Sequence, residues 1–527
     1  MRVGILLGIS LTFSAGQAQT FIWDGGGGAA PNNTWSADNT NWDGDVAPTG
    51  GAGQDLVFTG SANAVSGNVS TVNDIASNTR FGSITFDDRG GAAGNFILSG
   101  NSVKMNGGAI SSNTTLASTQ TLDLDINIQG TGNLNFGAQA DNHLILSGDI
   151  SGTGNLVHSS GTLRFGTVTL SGNNSFSGRI DLLGGRLILT NSNATGGDRV
   201  VIRDGSSVAP VLELASSGDL TFSNLFNLDR NGDEVAIEVT SGNATLGSVA
   251  LGGGTGGSNN SVKTLRAASG STLTVSGAVG EDSDAQAANS SLNIGTGGSS
   301  FDGTVVLSGV NTYNGETLIN SGTLLVNGST STSSAVTVGS GATLGGIGTV
   351  GGNTIVNGAH TAGTAGGAGP QTFSNDLTYN SGSTITWDLI DASSTAGAGW
   401  DTFTLNATDS DLNFAAAVGE IMFNINDFDL SFDPLTDQDF LVWTGYNSLT
   451  GFNENDFVIS YTGSAIGVSG SNFKIFDDTA ATLGTAGVYV RFTAVPEPST
   501  YALMGLGLGA FGWVIRRRRK VVVPKAS

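Results

Sequence analysis

Three histidines, two acid-rich stretches and a cluster of tryptophans are the residues here whose side chains could serve catalysis, metal binding or sugar recognition. None of His143, His158 and His360 has a second histidine at ligand spacing, and the first two read as surface or turn positions. No G-x-S-x-G turn sits between a strand and a helix, so no hydrolytic triad is expected. In "DRNGDEV" (Asp229–Val235), Asp229, Asn231 and Asp233 alternate as calcium ligands would. A calcium loop, however, wants Gly at its sixth position and Glu at its twelfth. Gly232 is fourth and Thr240 twelfth, so Asn231-Gly232 reads instead as the turn of a hairpin between "FNL" and "VAIEV". The stretch from Asn426 to Asp439 has carboxylates enough to hold calcium loosely, but no fixed coordination set. No residue is therefore assigned as catalytic or as a metal ligand, and no cofactor is expected beyond such loosely bound calcium. Trp23, Trp35 and Trp42 lie among Asp, Asn and Gly. They suit a sugar-stacking platform or a cover over the open end of a strand stack, and the cover is the expected role.

The elements that would carry these residues repeat. "TVTLSGNNSFSGRIDLLGGRLILTN" (Thr167–Asn191) and "TVVLSGVNTYNGETLINSGTLLVNG" (Thr304–Gly328) share the frame T-V-x-L-S-G-x-N-[ST]-[FY]-x-G without gaps, and partial copies start at Leu144 and Gly322. Such internal similarity is the mark of a solenoid. Each copy reads as short strands between Gly and Asn turns, apolar on one face and hydroxylated on the other. Stacking would place Leu170 and Leu307 in an internal apolar column. Phe176 and Tyr313 become core or shape residues, and Asn174 and Asn311 serve turns or an Asn ladder. The repeat resembles the autotransporter-associated, or passenger-associated transport, β-strand repeat. That resemblance implies a right-handed parallel β-helix over residues 123–369. Residues 19–122 are expected to form an N-terminal cap and the first coils. An autotransporter ends in a membrane β-barrel closing on an aromatic residue; this chain ends differently, so self-transport is not carried over. After Pro370 the texture turns aromatic and acidic. A C-terminal β cap or small sandwich is expected over 370–494, with a second domain or an irregular continuation of the helix as alternatives.

Composition agrees with strands. Gly contributes 82 residues and Pro only 8, with no cysteine for disulfides or thiolate metal sites. Of 20 Lys and Arg, seven lie in the two ends, leaving 13 against 43 acidic residues, about −30 for the body. A field of that sign repels phosphate backbones, so nucleic acid is excluded as a partner.

The ends are addresses. Residues 1–18 have a basic Arg2, an apolar run and small residues before Gln19, the layout of a signal peptide. At the other end, Pro496-Glu497-Pro498 precedes an uncharged run, Tyr501–Ile515, and the block Arg516, Arg517, Arg518, Arg519 and Lys520. Fifteen helical residues reach about 22 Å, short of a hydrocarbon core of about 30 Å unless flanking arginines snorkel. The basic block would stay cytoplasmic. Residues 495–520 resemble the PEP-CTERM sorting signal. The resemblance implies a short transmembrane helix, recognition and processing by an exosortase in a Gram-negative bacterium, and association with exopolysaccharide. Pro496, Glu497 and Pro498 would be the sorting motif and Arg516–Arg519 the cytoplasmic stop.

The expected protein is all-β and not an enzyme. It is exported, transiently anchored in the inner membrane, then structural or adhesive at the cell surface or in the extracellular matrix, with surface glycans as partners. The alternative is a glycan-degrading β-helix enzyme, lyase or glycosidase. Clustered carboxylates in a groove would favour the enzyme, a Thr/Asn/Ser face the structural protein.

Overall fold

A computed structural model describes residues 19–495 except 24–32, 37–40, 52, 60–67, 89–94, 140, 159–165, 204–208, 230–234, 253–261, 283–289, 296–299, 365, 407, 430 and 431. The signal peptide, Pro496 to Pro498, the apolar run and Arg516 to Arg519 thus lie outside the described residues. The chain divides into two units, one running to Leu344 with Val350–Gly352 added, the other made of Gly345–Thr349 and everything from Asn353.

In the first unit short strands pair in parallel, coil on coil, and like residues meet like. Leu98, Leu122, Leu146, Leu170, Leu189 and Leu214 are successive register partners, none more than 1% exposed. Val168, Leu187, Leu212, Ile237, Leu265 and Ile294 form a second buried column beside them. Alternation along each strand sends every second side chain inward, so the column is the core. Early coils have an additional face, the four-stranded sheet of Thr79–Phe81, Val103–Met105, Ile126–Ile128 and Ile150–Gly152.

The two good copies of the repeat do not share a column. Thr167–Leu170 pairs with His143–Leu146 and Arg186–Leu189, whereas Thr304–Leu307 pairs with Thr272–Val275 and Gly322–Val326, in a different sheet. Leu170 and Leu307 are both buried, but one faces Leu146 and the other Val275. The repeat fits because it is a strand, a corner and a return; a coil with several such corners can start it on any face.

The corner explains the frame. A Cβ added to Gly309 would lie 2.1 Å from the Gly277 carbonyl oxygen, and one on Gly172 2.3 Å from that of Gly148. The coils touch through backbone there. Asn174 Oδ1 accepts from Ile150 N (2.8 Å) while Nδ2 donates to the Ala194 carbonyl (2.8 Å). Asn311 does the same with Val279 N (2.8 Å) and the Ser329 carbonyl (2.9 Å). Each amide staples its own coil to the one before and the one after. Phe176 and Tyr313 fill the corner at 0% exposure, Tyr313 with its hydroxyl on Thr317 Oγ1 at 2.6 Å.

Asn231-Gly232 lie outside the described residues, but the strands expected to flank their hairpin pair elsewhere. Leu220–Asp229 pairs with Val200–Arg203 and Asn243–Gly252, while Val235–Ser241 pairs with Val211–Ala215 and Val262–Ala267. The two flanking strands thus belong to different sheets.

The second unit keeps the parallel habit and visits three faces in turn. One face stacks Thr354–Val356, Leu377–Asn380, Asp411–Ala415 and Ser448–Thr450. The next stacks Ala359–Thr361, Thr384–Leu389, Ile421–Asp427 and Phe457–Thr462. The third stacks Pro370–Phe373, Thr402–Leu405 and Gln438–Thr444. The unit thus stacks in parallel through most of its length. It closes with an antiparallel pair, Phe473–Asp478 and Gly487–Phe492, the latter set against Gln438–Thr444. Left-handed Ala481 and Gly484, at φ 54° and 101°, lie in the loop that reverses the chain. Among the described residues no helix is long and apolar enough to cross a membrane.

Candidate functional site

At the end of the described chain the last strand and the residues after it are held by a series of contacts. Along Gly487–Phe492, Val488, Val490 and Phe492 point inward and are fully buried, and Phe492 meets Phe432 and Phe473 at 4.9 and 5.1 Å between ring centroids. Arg491 faces outward and grips Asp439 with two bonds, Nε to Oδ1 at 2.6 Å and Nη2 to Oδ2 at 2.8 Å. Beyond the strand, three successive backbone N–H groups are held at 2.8 Å: Thr493 by the Asn472 carbonyl, Ala494 by the Asp437 carboxylate and Val495 by the Pro434 carbonyl. The loop supplying the last two is itself fastened. Asp433 accepts from Leu435 N at 3.0 Å and Thr436 Oγ1 at 3.0 Å, and its carbonyl accepts from Gln438 Nε2 at 3.1 Å. The next residue is Pro496, which has no N–H to fasten. The fold and the Pro-Glu-Pro segment therefore abut without a spacer.

Of the two histidines read as surface or turn positions, His143 is partly exposed on a strand and His158 is buried. His143 lies in a strand, half-buried, with Nε2 at 2.7 Å from Thr169 Oγ1. His158 is fully buried, with Nδ1 2.8 Å from the Gly184 carbonyl and its ring beside Phe136. Burial pushes it down to about 4, so it is neutral. His360 is fully buried in the second unit and is the centre of a relay. Gln371 Oε1, 2.7 Å from Nε2, can only accept, which assigns the imidazole proton to Nε2. Nδ1 then accepts from the Tyr379 hydroxyl (2.7 Å), which in turn accepts from Trp443 Nε1 (3.2 Å). Gln371 Nε2 passes the chain on to the Gly345 carbonyl at 2.8 Å. Phe403 lies 4.4 Å from the imidazole centroid, and burial holds His360 down to about 4. Strand alternation hid these positions, because a lone histidine in a polar-looking window gives no sign of facing inward.

The tryptophans are core. Trp23, Trp35 and Trp42 are 1% exposed or less and make edge contacts with one another at 5.2 and 6.3 Å. Phe58 lies within 6.0 Å of all three. No indole face is open to a sugar ring, and the cluster packs at the first strands of the unit, Gln19–Trp23 and Gln54–Thr59.

Carboxylates that do come together are tied up in the fold. Glu213 and Glu238 are register partners on adjacent coils. Arg186 bonds both, and Arg266 holds Glu238 Oε2 with Nε at 2.8 Å and Nη2 at 2.6 Å. This ladder escaped the sequence reading, although its spacing of 27 residues from Arg186 to Glu213 is about one coil. Asp181 takes Arg179 at 2.9 Å and Arg203 at 3.1 Å. In the second unit, buried Asp401 accepts from Gly369 N at 2.9 Å and Asp388 N at 3.0 Å. Burial outweighs these bonds and, with Asp388 nearby, pushes Asp401 up to about 8. The acidic run is similarly engaged: Asp427 accepts from Tyr461, and Asp429 from Ala392 N. Among the described residues no three His, Asp or Glu converge as a metal site. A shallow cavity of about 420 Å³ between Gly196–Arg199 and Ser223–Leu225 is lined by one carboxylate, Asp198, and one guanidinium, Arg199.

The PEP-CTERM protein-sorting motif matches residues 494–519, beginning at the residue whose N–H Asp437 holds. The passenger-associated-transport-repeat matches residues 166–189 and 302–326, the two good copies of the repeat. No curated protein matches the chain.

Proposed function

We propose that this is an exported scaffold protein of the cell envelope or extracellular matrix, structural or adhesive, whose tail is recognised and removed by an exosortase-type enzyme. The observation that carries the reading is the sorting motif at 494–519, set directly behind a body of stacked parallel coils. The body offers what a scaffold needs: columns of buried leucine, corners stapled by asparagine, and no dependence on disulfides. Its partners are surface glycans, met by many weak contacts whose strength adds along the repeats. The role is non-catalytic, in keeping with carboxylates engaged by arginines and backbone N–H groups; a glycosidase needs two that are free to act.

Before processing, the uncharged run holds the tail in the inner membrane with Arg516 to Arg519 on the cytoplasmic side. Replacing Pro496, Glu497 and Pro498 with alanine is expected to leave export intact and to retain the tail. Intact mass and C-terminal peptide mapping of protein from the native cell surface decide it. A wild-type C-terminus before Tyr501, with the variant intact, is the expected result; an intact wild-type Arg516–Lys520 block overturns the reading.

A further inference from the structure

We infer that Asp437 is a positioning residue for tail processing: the folded second unit holds Ala494 and Val495, the first two residues of the sorting motif, and so fixes the point at which the chain leaves the fold ahead of Pro496-Glu497-Pro498. The inference rests on the sorting reading above and adds to it a role for the folded body. Its basis is the exit geometry. The motif starts at Ala494, and Ala494 and Val495 are bound at 2.8 Å by the Asp437 carboxylate and the Pro434 carbonyl. Val495 also lies against the turn at Gly467, where an added Cβ would meet its Cγ1 at 3.5 Å. The holding loop is pinned by Asp433, and the strand feeding the exit is set between two antiparallel partners.

The tether is short. Residues 496–500 separate Val495 from the uncharged run, at most about 17 Å when extended. Any enzyme acting on Pro496-Glu497-Pro498 at the membrane must therefore work close to this exit. Holding the start of the segment lowers the entropy lost when an enzyme binds it. An unfolded second unit lacks the Asp437 and Pro434 contacts, so the same bonds make processing favour folded chains.

Asp437 is exposed, and its removal is expected to shift folding stability little. The test is a pulse-chase of tail removal in the producing cell, read by C-terminal mass. It compares wild type, Asp437→Ala, Asp437→Asn and a variant with a Gly-Ser spacer inserted after Val495. Melting temperatures of the purified chains are measured alongside. Asp437→Ala and the spacer variant are expected to slow tail removal about three-fold or more, the scale of one hydrogen bond. Asp437→Asn keeps an oxygen acceptor and is expected to match wild type. If Asp437→Ala melts lower than wild type, the spacer variant, which leaves the bonds of Thr493, Ala494 and Val495 in place, decides alone. Equal rates for the spacer variant and wild type overturn the positioning role while leaving the sorting reading standing. A wild-type chain that keeps its tail overturns both.

Discussion

His360 and Asp401 are buried ionisable groups of the same unit whose titrations oppose each other. Asp401 is raised from near 3.8 to about 8, so between those values the folded chain binds a proton that the unfolded chain has lost. Stability from this group is present at low pH and is lost as pH rises from about 4 to about 8. His360 is lowered from near 6.5 to about 4, so the unfolded chain binds the extra proton there. Its contribution is full above pH 6.5 and is lost as pH falls toward 4. Comparing variants with wild type separates the two. The melting-temperature difference of Asp401→Asn, variant minus wild type, should rise with pH from 4 to 8. That of His360→Gln should become less negative as pH falls from 6.5 to 4. A flat difference for either variant would mean that its group titrates alike in both states. Nothing in the sequence signalled that either residue is buried, since burial on an inward face follows from register, and register was not legible from a single strand.

Scale changes at the corner. The frame of the repeat was visible in the sequence as letters, and the structure gives each letter a reason: Gly where coils meet backbone to backbone, Asn where an amide bonds the coil before and the coil after. Gly309→Ala must displace the Gly277 carbonyl, since a Cβ 2.1 Å from it is impossible. A loss of about 2 kcal/mol in denaturant unfolding is expected. Asn311→Ala leaves Val279 N and the Ser329 carbonyl without that partner, and should cost about 1–3 kcal/mol. Leu170→Ala opens a cavity between Leu146 and Leu189 and should cost about 2–5 kcal/mol. If Gly309→Ala were neutral, the close approach of neighbouring coils would be wrong. The elements the sequence misread share one cause. Asn231-Gly232 looked like a hairpin, and Leu170 and Leu307 looked like one column, because local patterns specify a turn or a strand but not the face on which it lands.

For the whole molecule, charge and ends matter most. The body carries 43 acidic against 13 basic side chains, yet many of its described acids accept from backbone N–H groups or arginines. The charge thus partly ties successive strands together, as in the ladder Arg186–Glu213–Glu238–Arg266 running across coils. A body of this sign is attracted to neutral or cationic surfaces more readily than to phosphates. Each unit is built coil by coil, so damage to one coil should be felt mainly by its neighbours.

By itself the sequence determined the strand class, the repeat frame, the absence of thiol chemistry and the sorting tail. These are properties of composition and of short contiguous patterns, which need no long-range partner to be read. Tertiary structure alone decided which face each copy of the repeat occupies, that His158 and His360 are buried, that Glu213 and Glu238 stack, and that Asp437 holds Ala494. Each of those depends on the register between strands about one coil apart or more. A shift of one residue turns a side chain from core to solvent without changing the local pattern.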